Sequence, residues 1–368
     1  MSKKFLPLIT TNVSFVNVSN VSWVLNDQEL SLISYIDIGS SLLSVIGAAS
    51  IIVSVIARKK VCKPDVIPIF HLSLADLLAS LSLFIDCILF QFSLKPGVWQ
   101  ICNIVSAFTM ACYVITFSLT LTYAIEVYLR MHTRTRGYRY RPSKCLPVFR
   151  YLLYILSWFI PIALSVMMSV LFYLETKKEE QEPRMRRIIP PGHDCSSSIY
   201  DKGLRCLPVF HYNEDICLHS WGELPTLHVV AKYLFLIPLI LIMVTNAVLY
   251  LCTYKKHAQL QDSRGVLGYT HSIEGERLRN KAIQFQVVFF VCWFPSLLLG
   301  FFSLSKSFNM RYYYPLFIIQ ALTAPLQGFV NCIIYGWYRQ SFTNALRADD
   351  ANERTHLMNG SQSGTFGL

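Results

Sequence analysis

The sequence predicts an all-α membrane protein, a seven-transmembrane helix bundle followed by a short amphipathic eighth helix. Two observations carry this. Of 368 residues, 53% are hydrophobic and only 15% are charged, whereas a soluble domain carries about 25% charged residues. Seven apolar runs also stand in the chain, each long enough to cross the hydrocarbon core, which takes ~20 helical residues at ~1.5 Å each. They are 33–57, 66–92, 101–131, 151–174, 227–254, 282–304 and 312–337. The net charge of +11 is not the footprint of a nucleic-acid binder. Its basic residues cluster in short loops beside the apolar runs, and no stripe of aromatics interleaved with Lys and Arg is present.

That clustering sets the orientation. The first, third and fifth loops with their edges hold 17 basic residues against four acids, while the second and sixth hold only Lys95, Lys306 and Arg311. The positive-inside bias then puts the amino terminus outside and the carboxyl terminus in the cytoplasm. The basic loops also suit anionic membrane lipids as partners.

Residues 1–32 read as an extracellular tail. Lys3 and Lys4 precede an apolar stretch too short for a signal peptide. Three sequons, Asn12-Val-Ser14, Asn17-Val-Ser19 and Asn20-Val-Ser22, predict glycosylation at Asn12, Asn17 and Asn20. In the second span Asp76 falls near mid-membrane, where a carboxylate costs roughly 2.5–3.5 kcal/mol on insertion scales, so it should face the interior and a partner. Asp86 lies nearer the outer face, where a water-filled cavity could host it. The third span begins near Cys102 and closes on Glu126-Val127-Tyr128. Cys102 together with Cys195, Cys206 and Cys217 of the outer loop makes an even set, hence up to two disulfides whose pairing the sequence leaves open. No clustered His/Cys spacing points to a zinc site.

The fourth and fifth spans carry Pro161 and Pro238. The sixth contains Phe289-Phe-Val-Cys292-Trp293-Phe-Pro295. Pro295 removes a backbone donor and predicts a kink just before it, which lipid tolerates only where neighbours satisfy the freed carbonyl. After the seventh span, Trp337, Tyr338, Phe342 and Leu346 share a face, predicting an amphipathic helix over 338–348 along the inner surface. Residues 349–368 read as a polar, disordered cytoplasmic tail. The chain shows no phosphate loop, nucleophile elbow or HExxH, so no enzyme activity is expected.

Over nearly all of 33–348 these features resemble the G protein-coupled receptor superfamily, with rhodopsin-like motifs. Leu72-Ser-Leu-Ala-Asp76 resembles its second-helix motif, Phe289, Cys292, Trp293 and Pro295 its sixth-helix switch, and Asn331-Cys-Ile-Ile-Tyr335 its seventh-helix motif. The run Leu326–Gly336 is similar to the cyclic-AMP-receptor-like branch. The resemblance implies a conformational switch at Phe289, Cys292, Trp293, Pro295, Asn331 and Tyr335, and a sodium ion held by Asp76, Thr116 and Asn331. It also implies a disulfide between Cys102 and Cys217, which leaves Cys195 and Cys206 for the second of the two disulfides that the count allows. Its ligand cavity would be lined by Asp86, Thr109, Tyr113, Ser296 and Phe317. Thr109 replaces the aspartate of amine receptors, which disfavours a biogenic amine, and the absence of a seventh-span lysine excludes retinal.

Departures from the pattern are equally specific. Glu126, Val127 and Tyr128 occupy the coupling motif, with valine in place of its arginine. Cys332 replaces the seventh-helix proline, so that helix is expected to lack its bend. The resemblance implies an orphan plasma-membrane receptor whose extracellular or lipidic ligand drives signalling to a heterotrimeric G protein or arrestin. Val127 favours an alternative, a seven-helix scaffold or trafficking protein that has lost coupling. A transporter is less favoured, because below Asp76 the spans offer little ionisable beyond Glu126.

Overall fold

The computed structural model describes residues 25, 27–57, 66–91, 98–135, 145–181, 224–262, 269–304 and 311–334. The elements are α1 (Asp27–Ala57), α2 (Ile67–Gln91), α3 (Val98–Thr135), α4 (Cys145–Gln181), α5 (Leu224–Asp262), α6 (Tyr269–Phe302), α7 (Tyr314–Thr323) and α8 (Gln327–Ile334). No strand occurs among the described residues. Helices α1 to α6 are each long and apolar enough to cross a bilayer, and α7 with α8, bent by 44°, has the length and apolarity of a seventh span when the two are taken as one. The chain is an all-helical, multi-pass integral membrane protein. Several helices outrun their apolar runs: α1 starts inside the segment read as tail, and α3 and α6 extend past both the predicted ends nearest the basic loops. Apolarity marks the hydrocarbon slab, whereas a helix continues into the headgroups. The helix expected over 338–348 and the tail 349–368 lie outside the described residues.

Helix α3 is the hub. It packs against α2, α4, α5 and α6, while α1 contacts α2 and α7 closes the ring against α1 and α6. Its buried stripe, Thr109, Tyr113, Thr116, Thr120, Tyr123, Val127 and Met131, recurs every three or four residues, the period of one helix face. Thr116 and Thr120 turn their hydroxyls to the carbonyl four residues back, at 3.1 and 2.8 Å. A hydroxyl without water satisfies itself on its own backbone in this way. On the outside, Val53 of α1, Phe159 and Val166 of α4, Leu241 and Val244 of α5 and Val291 of α6 are exposed. In a bilayer these side chains meet lipid tails as apolar as themselves.

Small residues let α1 and α8 approach closely. A Cβ at Gly47 would sit 2.7 Å from the Phe329 Cα, and one at Gly328 would sit 2.5 Å from Ser44 Oγ. Ser40 Oγ donates to the Ala321 carbonyl at 2.8 Å, stitching α1 to α7. The seventh span is not straight, contrary to the expectation drawn from Cys332. It breaks at Ala324-Pro325-Leu326, where Pro325 has no N–H to continue the ladder, and α8 resumes with Val330 N–H to the Leu326 carbonyl at 3.0 Å. The proline that bends this helix therefore stands seven residues before Cys332.

Candidate functional site

A column of buried polar side chains runs through the bundle, from the amino-terminal face, where α1 and α3 begin, to the carboxyl-terminal face, where they end. Its middle is built on α6. Trp293, 2% exposed, is wedged edge-on against Tyr113, Phe117 and Phe235, with the Phe117 centroid 4.4 Å away. Phe117 also meets Phe289 edge-on at 5.6 Å. Such pairs align a ring edge with a neighbouring π face. The indole N–H donates to Gln327 Oε1 of α8. Helix α6 continues through Pro295 to Phe302. The carbonyl that Pro295 leaves without a donor is that of Val291, and the next one, Cys292, accepts Thr323 Oγ1 from α7 at 3.1 Å. Helices α6 and α7/α8 are thus joined on both sides of the Trp293 turn. Ser296, completely buried, has no partner for its hydroxyl.

One turn towards the carboxyl-terminal face, Asp76 Oδ2 accepts Asn331 Nδ2 at 2.8 Å, and Thr116 lies at the same carboxylate. The three residues expected to hold sodium are brought together. Asn331 presents its amide N–H to the acid rather than an oxygen to an ion. Ser80 turns its hydroxyl back to the Asp76 carbonyl at 2.7 Å.

At the amino-terminal end, Asp86 is fully buried. Its Oδ2 accepts Thr109 Oγ1 at 2.7 Å and its Oδ1 has no partner. A small cavity of about 30 Å³ in the same half of the bundle is lined by Asp37, Tyr113, Trp293, Phe317 and Gln320 among apolar neighbours. Of the five residues expected to line a ligand cavity, Tyr113 and Phe317 do so, whereas Asp86, Thr109 and Ser296 are buried in the surrounding packing. The space holds about two waters, too little for a drug-sized molecule in this arrangement.

At the carboxyl-terminal end the described side chains of α3 are packed and paired. Val127, 2% exposed, packs in an apolar cluster with Leu72, Met131 and Phe285. Glu126 Oε1 takes Arg130 Nη2 at 2.6 Å and lies 3.7 Å from Arg150 Nη1, while its Oε2 accepts the Tyr154 hydroxyl at 2.9 Å. His71 of α2 stacks on Tyr154 at 4.9 Å, and Thr122 and Ser157 share a hydrogen bond of 3.0 Å. These contacts tie α2, α3 and α4 together. Tyr128, partly exposed, meets His132 at 6.0 Å.

Cys102 is buried near the start of α3, and the outer-loop cysteines expected to pair with it lie outside the described residues. Cys195, Cys206, Cys217, Tyr335, Asn12, Asn17 and Asn20 lie outside the described residues. Asp37, Gln327, Arg150 and Tyr154 were not singled out by sequence reasoning. For Asp37 and Gln327 the signal is a polar residue within an apolar run, the rule that marks Asp76. Arg150 reads as one more loop cation until the register of α4 on α3 is known.

A family model describing Transmembrane protein 116 matches residues 30–182 and 194–366. This overturns the assignment to the G protein-coupled receptor superfamily, because the match is not to a receptor family. The receptor-like motifs are short, and two of them lack their most distinctive residue, at Val127 and Cys332. The chain belongs to the Transmembrane protein 116 family.

Proposed function

We propose that this chain is a multi-pass membrane scaffold or trafficking protein that holds one closed bundle and has no G-protein coupling. The carrying observation is the packing of α3 at the carboxyl-terminal end. Val127 is buried among apolar side chains, and the neighbouring acid is engaged by two arginines and a tyrosine. A coupling partner needs a cleft there, and a ligand shifts a conformational equilibrium only through differential contacts with an open state. The partners would be other membrane proteins along the outward apolar faces and anionic lipids at the basic loops. The amino terminus would lie outside, glycosylated, with the basic loops in the cytoplasm at the plasma membrane. No catalytic role belongs to this reading.

Depletion with re-expression tests it. Cells lacking the chain should lose surface delivery of the membrane proteins that cross-link to it, with second-messenger levels unchanged. Normal delivery with altered second-messenger levels contradicts the reading.

A further inference from the structure

Two carboxylates in the amino-terminal half of the bundle meet no cation among the described residues. Asp37 is 6% exposed and lines the small cavity, and no side-chain hydrogen bond joins it to another described residue. Asp86 is fully buried with Oδ1 unpartnered. Both act electrostatically on Tyr113, and no cationic side chain among the described residues acts on either acid. The cavity wall adds a second feature. Gln320 Oε1 is buried there without a donor, so it offers a lone pair to the same space. The remaining polar-capable surface is aromatic: Tyr113, Trp293 and Phe317, with Tyr113 and Trp293 edge-on at 4.8 Å.

A buried charge without a partner is costly, and a buried acceptor without a donor adds to that cost. Oxygen acceptors and aromatic rings around one space suit positive charge, since a cation is drawn to carboxylates and to any π face it can reach. Volume limits the occupant. Space for about two waters admits an ammonium or alkali-metal ion and rejects a bulky amine. Aromatic walls favour the weakly hydrated members of that class.

We propose that the cavity between α1, α3, α6 and α7 is a binding site for a small monovalent cation, with Asp37 as its charge partner and Gln320 Oε1 as a neutral ligand. Asp86 reinforces the field from behind, and the rings of Tyr113, Trp293 and Phe317 close the site. It is separate from the Asp76–Asn331 pair, where the acid already has an amide donor. The proposal does not depend on the scaffold reading.

The test uses the full chain, purified in lipid nanodiscs, titrated with ammonium, methylammonium, potassium or sodium chloride. N-methylglucamine chloride holds the ionic strength constant. Thermal unfolding and tryptophan emission are read, because Trp293 forms part of the wall. The expected result is a saturable rise in Tm and a saturable emission change with the small cations. Asp37→Asn should abolish both while staying folded, and unfold no earlier than the parent in N-methylglucamine, because the isosteric amide loses no hydrogen-bond partner among the described residues. Gln320→Met should weaken the apparent affinity by roughly tenfold, as for one lost contact to a charge. Asp76→Asn should leave the response in place. An absent response, equal stabilisation by N-methylglucamine alone, a response that survives Asp37→Asn, or one that is lost in Asp76→Asn overturns the proposal.

Discussion

The two ends of the bundle bury the same kind of group in opposite ways. At the carboxyl-terminal end Glu126 is met by Arg130, Arg150 and Tyr154, drawn from α3 and α4. At the amino-terminal end Asp37 and Asp86 have, among the described residues, a single hydroxyl donor between them, Thr109. An acid whose countercharges come from its own chain is a fastener, because the protein has supplied what burial demands. An acid left without them is costly to charge, and a cation bound beside it offsets that cost. The first end is therefore structural, and the second is where the molecule can respond to its surroundings.

Substitutions can break or sharpen this contrast. The largest effect is expected at the fastener. Glu126→Leu strands two partly buried arginines and should destabilise by about 3–5 kcal/mol, read as thermal unfolding in detergent; a loss no greater than that of an exposed site would erase the distinction. Next comes the close approach of α1 and α8. Gly328→Val puts a side chain where a Cβ already meets Ser44 Oγ at 2.5 Å, and should cost about 1–3 kcal/mol by overpacking. Trp293→Phe keeps most of the aromatic nest but strands the Gln327 oxygen, for about 1–2 kcal/mol. A double-mutant cycle with Gln327→Leu should recover part of that loss. Asp37→Asn should change stability by less than about 1 kcal/mol or raise it, since no partner among the described residues is lost. A large loss there would mean that both ends are fastened alike. Thr122→Val, which removes one 3.0 Å contact to Ser157, is the smallest, at about 0.5–1 kcal/mol.

How much of this can be read without coordinates depends on distance along the chain. The spans are legible because the bilayer imposes a length and a composition on every crossing helix. Asp76 is legible as an interior acid, and its pairing with Asn331, 255 residues away, follows from the two motifs rather than from any local pattern. Asp37 carries the same signal as Asp76, a carboxylate inside an apolar run, and only the cavity shows what makes it distinctive. The partners of Glu126 are a different case. Arg130 follows by helix spacing, one turn on, but Arg150 and Tyr154 depend on how α4 is rotated and shifted against α3, and no short-range pattern encodes that register. The bend of the seventh span misleads in a simpler way: attention to Cys332 obscures Pro325. The family likewise lies beyond motif reading. Asp76, Trp293, Pro295 and Asn331 are residues that any helical bundle with a polar core and a proline-bearing helix can use, and the match over most of the chain outweighs them.

The claim on which the rest turns is that the carboxyl-terminal end stays closed. Amide hydrogen exchange, measured residue by residue in nanodiscs with and without added heterotrimeric G protein, addresses it directly. The inward stretch of α3 around Tyr123, Val127 and Met131 and the facing turn of α6 at Phe285 should exchange slowly, and equally, in both conditions. Faster exchange there when the G protein is added would contradict the account.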